Sequence, residues 1–236
     1  MNFSLSEQHS IEPDKPISLL SISDLDNLLD YVRVINSIHF EVTKSCIVDL
    51  VPGAEEFYSS VIRILNASKF TRMFLSTLDF ESSQRKLDTL KYELITEISR
   101  LSYSLSELYK LLNYMEDLHL RAERNLKLYE TDLVNYNKFG ICNDIVTISS
   151  VSRLKCKSLL DILDSVLNKL KSLASIIDRL FCADKSSIES VIDELRAVAK
   201  FSKGIIDSES SLVTDLIDDL RYIAGKIKDL FSDDNE

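Results

Sequence analysis

The sequence predicts an all-α fold, an elongated helical bundle with a long antiparallel coiled-coil hairpin. Three observations predict it. Only 4 glycines and 3 prolines occur in 236 residues, and Pro52 is the last proline, so the strongest helix breaker is absent from the rest of the chain. Asn-Gly and Asp-Gly, the dipeptides that close β-hairpins, are missing. Through the centre of the chain an apolar residue recurs at every seventh position, the repeat of a helix packed along its length. The chain is long enough to bury a sizeable core as one large domain or two small ones.

Residues 1–17 carry Pro13 and Pro16 among polar side chains without apolar periodicity and read as a flexible N-terminal arm. Residues 18–80 read as a cluster of short helices. Ser23 is a capping residue with Asp24 and Asp26 in the first turn, where carboxylates complement the helix dipole. Leu25, Leu28, Leu29, Val32 and Ile35 form that helix's apolar face. A second helix covers Val42 to Leu50, and Pro52-Gly53 is expected to break the chain. Phe57, Val61, Ile64 and Leu65 mark a third, and Phe70, Met73, Phe74 and Leu78 a fourth.

Residues 81–182 read as the long helical hairpin. A cap at Ser82-Ser83 opens one helical stretch reaching Phe139. One position repeats as Leu87, Leu94, Leu101, Leu108, Met115, Ala122, Tyr129 and Tyr136. Four residues on, the companion position reads Lys91, Ile98, Leu105, Leu112, His119, Leu126 and Leu133. Gly140 is expected to supply the turn. The returning helix runs to about Phe181 with a seam at Leu159, Leu163, Val166, Leu170, Leu173, Ile177 and Leu180, in alternating fours and threes. The β-branched run Ile145-Val146-Thr147-Ile148 is not assigned to a strand, because a lone strand has nothing to pair with.

Residues 183–236 read as C-terminal helices completing the bundle. Ser186 and Glu189 form a capping box for a helix carrying Ile188, Val191, Ile192, Leu195 and Val198, with Gly204 as a break or kink. A last helix shows Val213, Leu216, Leu220, Ile223, Ile227 and Leu230 before an acidic tail.

The formal charge of −10 weighs against a binder of nucleic-acid backbone, which needs a basic face, and equally against adsorption to anionic lipid. Cys46, Cys142, Cys156 and Cys182 are scattered without a C-x-x-C pair and read as reduced, mostly buried thiols. No basic-then-apolar leader opens the chain and no apolar run reaches membrane-spanning length, which predicts a cytoplasmic protein.

Chemistry is sparse. His9, His39 and His119 lack metal-ligand spacing, and His119 falls within the long seam, where it reads as a satisfied, partly buried side chain. Glu116-x-x-His119 is a single half of the paired motif that a di-metal bundle requires. No glycine-rich phosphate loop and no G-x-S-x-G occur. Tyr92, Tyr103, Tyr109, Tyr114, Tyr129 and Tyr136 crowd the long helix and read as core or partner interface. No residue is nominated as catalytic, cofactor-binding or metal-ligating, and no cofactor is expected.

Two stretches resemble the TelA-like toxic anion (tellurite) resistance family of bacteria. One is Val42-Thr43-Lys44-Ser45, followed by Gly53-Ala54 and by Ser59-Ser60-Val61 running to Leu65. The other is Leu94-Ile95-Thr96-Glu97-Ile98 with Leu118, Ala122, Glu123 and Leu126, similar to that family's central helical segment. The chain departs from the family at Ala122, where the family's pattern has glycine, and in its shorter length. The resemblance implies a cytoplasmic protein of stress or anion resistance, with no active site to carry over.

The function expected is therefore a non-enzymatic helical scaffold or adaptor that binds other proteins through helical faces, with self-association as a further expectation and no nucleic-acid partner. The alternative is a membrane-associated helical module that binds or shapes lipid surfaces, against which the acidic charge counts.

Overall fold

A computed structural model describes residues 19–66, 78–130, 136–183, 187–209 and 211–232. Six helices account for nearly all of them: α1 (Ser23–Asn36), α2 (Phe40–Asn66), α3 (Leu78–Glu130), α4 (Tyr136–Cys182), α5 (Ile188–Glu209) and α6 (Ser211–Ser232). Among the described residues there is no strand, so the all-α reading holds, Ile145 to Ile148 included.

The helices stand in four antiparallel columns. Side-chain contacts give the direction of each. Ser60 meets Ser83, Thr43 meets Glu97 and Asp24 meets Arg121, so α1 and α2 together descend along α3. His119 meets Ser149 and Lys91 meets Asp178, so α4 returns along α3 as the second arm of a hairpin. Arg179 reaches Glu194 and Lys155 reaches Asp219, so α5 and α6 ascend along α4, antiparallel to it. Tyr58–Glu189 and Lys44–Asp207 close the ring between α2 and α5. The result is an up-down-up-down bundle in which the outer two columns are each made of two consecutive helices. α3, at 53 residues, spans about 80 Å.

The heptad carries the core. Leu87, Leu94, Leu101, Leu108, Met115 and Ala122 are fully buried, as are Leu159, Leu163, Val166, Leu170, Leu173 and Ile177 of α4. Val213, Leu216, Leu220, Ile223, Ile227 and Leu230 of α6 are buried as well. The companion position four residues on is only partly covered, at Ile98, Leu105, Leu112 and Leu126. The more deeply buried companion lies three residues on and reads Glu97, Ser104, Leu111, Leu118 and Asn125. α3 meets α4 on one side and α1 with α2 on the other, so one apolar stripe is not enough.

Several expected boundaries move. α2 runs unbroken through Pro52 instead of stopping there, so this region is not a set of short helices only. Proline lacks the N–H that would bond to the carbonyl of Val48, and the interior penalty is about 3 kcal/mol. Pro52 stands on the solvent face, where the freed carbonyl is open to water, and Ile47, Leu50, Ala54 and Phe57 on the opposite face bury enough to offset it. Gly53, with no positive φ, is a point of close approach: a Cβ there would lie 2.5 Å from Leu90 Cδ1. Ser82-Ser83 is not a cap, because α3 is already helical at Leu78; Ser83 instead shares a 2.8 Å hydrogen bond with Ser60.

Gly140 is not the turn. It lies within α4, and the reversal falls between Glu130 and Tyr136, which places Tyr136 on the returning arm and Leu133 outside the described residues. Gly204 likewise neither breaks nor ends α5, which continues to Glu209. The first helix is not capped by Ser23: Ile22 holds the cap position without a side-chain bond, and the Ser21 amide donates to Asp24 Oδ2 at 2.9 Å. Leu29 is exposed, unlike the rest of its predicted apolar face. The arm at 1–17 and Ser186 of the capping box lie outside the described residues, and Glu189 accepts a hydrogen bond from Tyr58 Oη at 2.6 Å.

Candidate functional site

The long helix positions two buried polar clusters that tie α1 and α2 to the hairpin. In the first, Arg121 Nη1 donates to both carboxylate oxygens of Asp24, at 2.8 and 2.7 Å, and Arg121 Nε lies 2.8 Å from Asp117 Oδ2. Tyr114 Oη donates to Asp24 Oδ1 at 2.9 Å, and Asn125 Oδ1 accepts the Leu20 amide at 3.2 Å. Burial drives the Tyr114 phenol pKa far above its ordinary value, with the Asp24 charge adding to it. Burial works against the Arg121 charge, but the bonds and charges of Asp24 and Asp117 outweigh it and the guanidinium pKa rises.

In the second cluster Arg100 grips Glu97 with Nε at 2.8 Å and Nη2 at 2.5 Å, and Nη1 donates to the Ser37 carbonyl at 2.6 Å. Nη2 also reaches the His39 carbonyl at 3.3 Å, and Thr43 Oγ1 donates to Glu97 Oε1. A side chain from α3 thus bonds the Ser37 carbonyl after α1 and adds to the His39 carbonyl, which already accepts the first amides of α2. Both clusters tie α1 and α2 to α3, and only Arg121 Nε, close to Asp117 but without a hydrogen bond, is left over.

The accessible site lies beside the second cluster. α2 and α3 splay to leave a groove of about 630 Å3, lined by Glu41, Val42, Ser45, Cys46 and Asp49 from α2 and Tyr92, Glu93, Thr96 and Glu97 from α3. Val42 is 49 % exposed and Tyr92 72 % exposed, which is apolar surface facing water. The rim is acidic. The Cys46 thiol registers the field: its pKa is pushed up first by burial and then by the Glu97, Glu93 and Asp49 carboxylates.

Across α2, against α5, a second groove of about 370 Å3 is lined by Ile47, Val48, Val51 and Pro52 with Arg196, Ala199, Lys200 and Lys203. It continues along α5 past Phe201 and Gly204. Val48 is 46 % and Phe201 56 % exposed, and Lys169 Nζ sits 5.0 Å from the Phe201 ring centre. Here the rim is basic. The ridge of α2 therefore carries exposed apolar side chains with carboxylates on one flank and ammonium groups on the other.

The residues weighed for chemistry are not drawn together. His119 Nδ1 shares a 2.9 Å hydrogen bond with Ser149 Oγ, and Nε2 lies 3.6 Å from Glu123, so it is a satisfied seam residue. Glu116 points away to Arg153 at 3.5 Å. His39 is exposed at the α1–α2 turn, and His9 lies outside the described residues. Among the described residues no cluster of three or more His, Cys, Asp or Glu has metal-holding geometry, and no helix is long and apolar enough to cross a membrane. All four cysteines are free; Cys142 and Cys156 are buried, Cys46 half-buried and Cys182 exposed. Of the tyrosines, Tyr92, Tyr103, Tyr109 and Tyr136 are exposed, while Tyr114 and Tyr129 pack against the core.

Sequence reasoning missed the grooves. Val42 and Val48 fall within the helix expected over Val42 to Leu50, and the packing of α2 against α3 and α5 leaves both exposed. No family model, no curated protein and no solved structure matches this chain.

Proposed function

We propose that this chain is a non-enzymatic helical scaffold or adaptor that acts by binding protein through the face formed around α2. The observation that supports the reading is the pair of grooves flanking α2, in which Val42, Tyr92 and Val48 present apolar surface rimmed by charge. Such a face, an apolar centre with a polar rim, has the composition of a recognition surface. Its breadth suits a helix or a helical face more than a small ligand, because the grooves run along helices and are open on one side.

The test is quantitative affinity capture from the native cell, comparing the wild-type chain with Val42→Asp/Tyr92→Asp, whose fold is checked by circular dichroism. Proteins retained by the wild type and lost by the folded variant support the reading. Equal capture by both, or a catalytic turnover abolished by a point substitution in either groove, overturns it. The resemblance to the tellurite-resistance family adds a setting to the proposal: a deletion strain is expected to lose tolerance to tellurite, and unchanged tolerance removes that setting.

A further inference from the structure

Resting on that reading, we infer that the protein covering the α2 face is a second copy of this chain, joined across a two-fold axis that runs along α2. The ridge itself is apolar and exposed at Val48 and Pro52. Its flanks carry opposite charge, Glu41, Asp49 and Glu93 on the α3 side and Lys200 and Lys203 on the α5 side. None of these five makes an ion pair within the chain among the described residues. Their neighbours do: Lys44 is held by Asp207 at 2.6 Å, and Arg196 by Glu55 and Asp193 at 2.6 and 2.7 Å. Unpaired charges of opposite sign thus border the exposed apolar ridge on its two flanks.

Symmetry then selects the arrangement. In a two-fold dimer the same patch meets itself, so each flank must find its complement on the partner. Rotation about an axis lying across α2 would set the acidic flank against the acidic flank of the partner. Rotation about an axis along α2 sets acid against base twice, and leaves the two α2 helices parallel with each ridge residue facing its own counterpart. Like charges brought together at an interface are strongly disfavoured, so the second arrangement is the one the surface specifies.

The experiment is a charge exchange read by light scattering on the full chain at low salt. The wild type is expected at twice the monomer mass. Asp49→Lys/Glu93→Lys gives a chain with two basic flanks and Lys200→Glu/Lys203→Glu one with two acidic flanks; each is expected to be monomeric with an unchanged helical spectrum. Mixing the two variants is expected to restore the dimer mass, since both junctions are again acid against base. In a Cys46→Ser/Cys182→Ser background, Ser45→Cys and Pro52→Cys, about 10 Å apart along α2, are each expected to cross-link to themselves. A monomeric wild type, dimeric single variants, a mixture that stays monomeric, or homotypic cross-linking at only one of the two positions overturns the proposal. The scaffold reading fails separately, on the capture of other proteins by the Val42 and Tyr92 variant.

Discussion

Asp24 and Arg121, 97 residues apart, meet as an ion pair in which Arg121 Nη1 donates to both carboxylate oxygens and each side chain is almost wholly buried. The pair sits where the first turn of α1 crosses the far end of α3. It fixes the register of α1 on the hairpin, because a shift of one helical turn would leave the Asp24 carboxylate buried without its cation. Arg121→Ala or Asp24→Ala is therefore expected to destabilise the fold by about 3–5 kcal/mol, measured by urea denaturation. The double variant Asp24→Ala/Arg121→Met is expected to recover most of that loss, since no charge remains stranded. Additive losses would show that the pair is not coupled.

Arg100 offers a finer test. Its planar fork serves the Glu97 carboxylate and two carbonyls at once, a geometry that an ammonium does not reproduce. Arg100→Lys keeps the charge and is still expected to cost about 1.5–3 kcal/mol. In hydrogen exchange the amides of the α1–α2 turn are expected to lose protection before those of α4. Uniform loss across the bundle would contradict a local role.

The thiols divide by burial. Burial pushes Cys142 up to about 11 and Cys156 up to about 12, from an ordinary 9.0. At pH 8 a thiol-specific reagent is expected to modify exposed Cys182 first, half-buried Cys46 more slowly, and the other two only on unfolding. The same shifts make stability fall with rising pH. Below 9 both states hold the protons; from about 9 to 12 the unfolded chain releases them while the folded one retains them, so unfolding is increasingly favoured. Cys156→Ala is expected to flatten that decline in urea midpoint, and an unchanged slope would refute the assignment.

The glycines are not equivalent. Gly140 and Gly225 lie within helices, and the position a Cβ would take at each has no neighbouring atom within 4 Å, so Gly→Ala at each is expected to stabilise by about 0.5–1 kcal/mol. Gly53→Ala gains the same propensity but drives a methyl into Leu90 Cδ1 and is expected to show no such gain. Adding Leu90→Val or Leu90→Ala to Gly53→Ala should then cost less than it does in the wild type, as read by thermal melting.

The register of the core was legible before the structure because burial demands apolar side chains at a fixed period. Leu87 through Ala122 and Leu159 through Leu180 obey it without exception. Helix ends were not. The reversal after Glu130 carries no glycine or proline, while Gly140, Gly204 and Pro52, the residues that usually mark an end, are absorbed into helices whose opposite faces are buried. Glu97, Ser104, Arg121 and Asn125 have no place in an apolar repeat; they are buried because partners from α1, α2 and their own helix bond to them.

By itself, then, the sequence determined the helical class and one apolar stripe along each long helix, since backbone propensity and apolar period are local properties. Only the tertiary structure decided that consecutive helices share a column, that Asp24 finds Arg121, and that α2 is left with one uncovered ridge between an acidic and a basic flank. Those depend on which helices become neighbours, and neighbours are chosen by the competition of all buried faces at once.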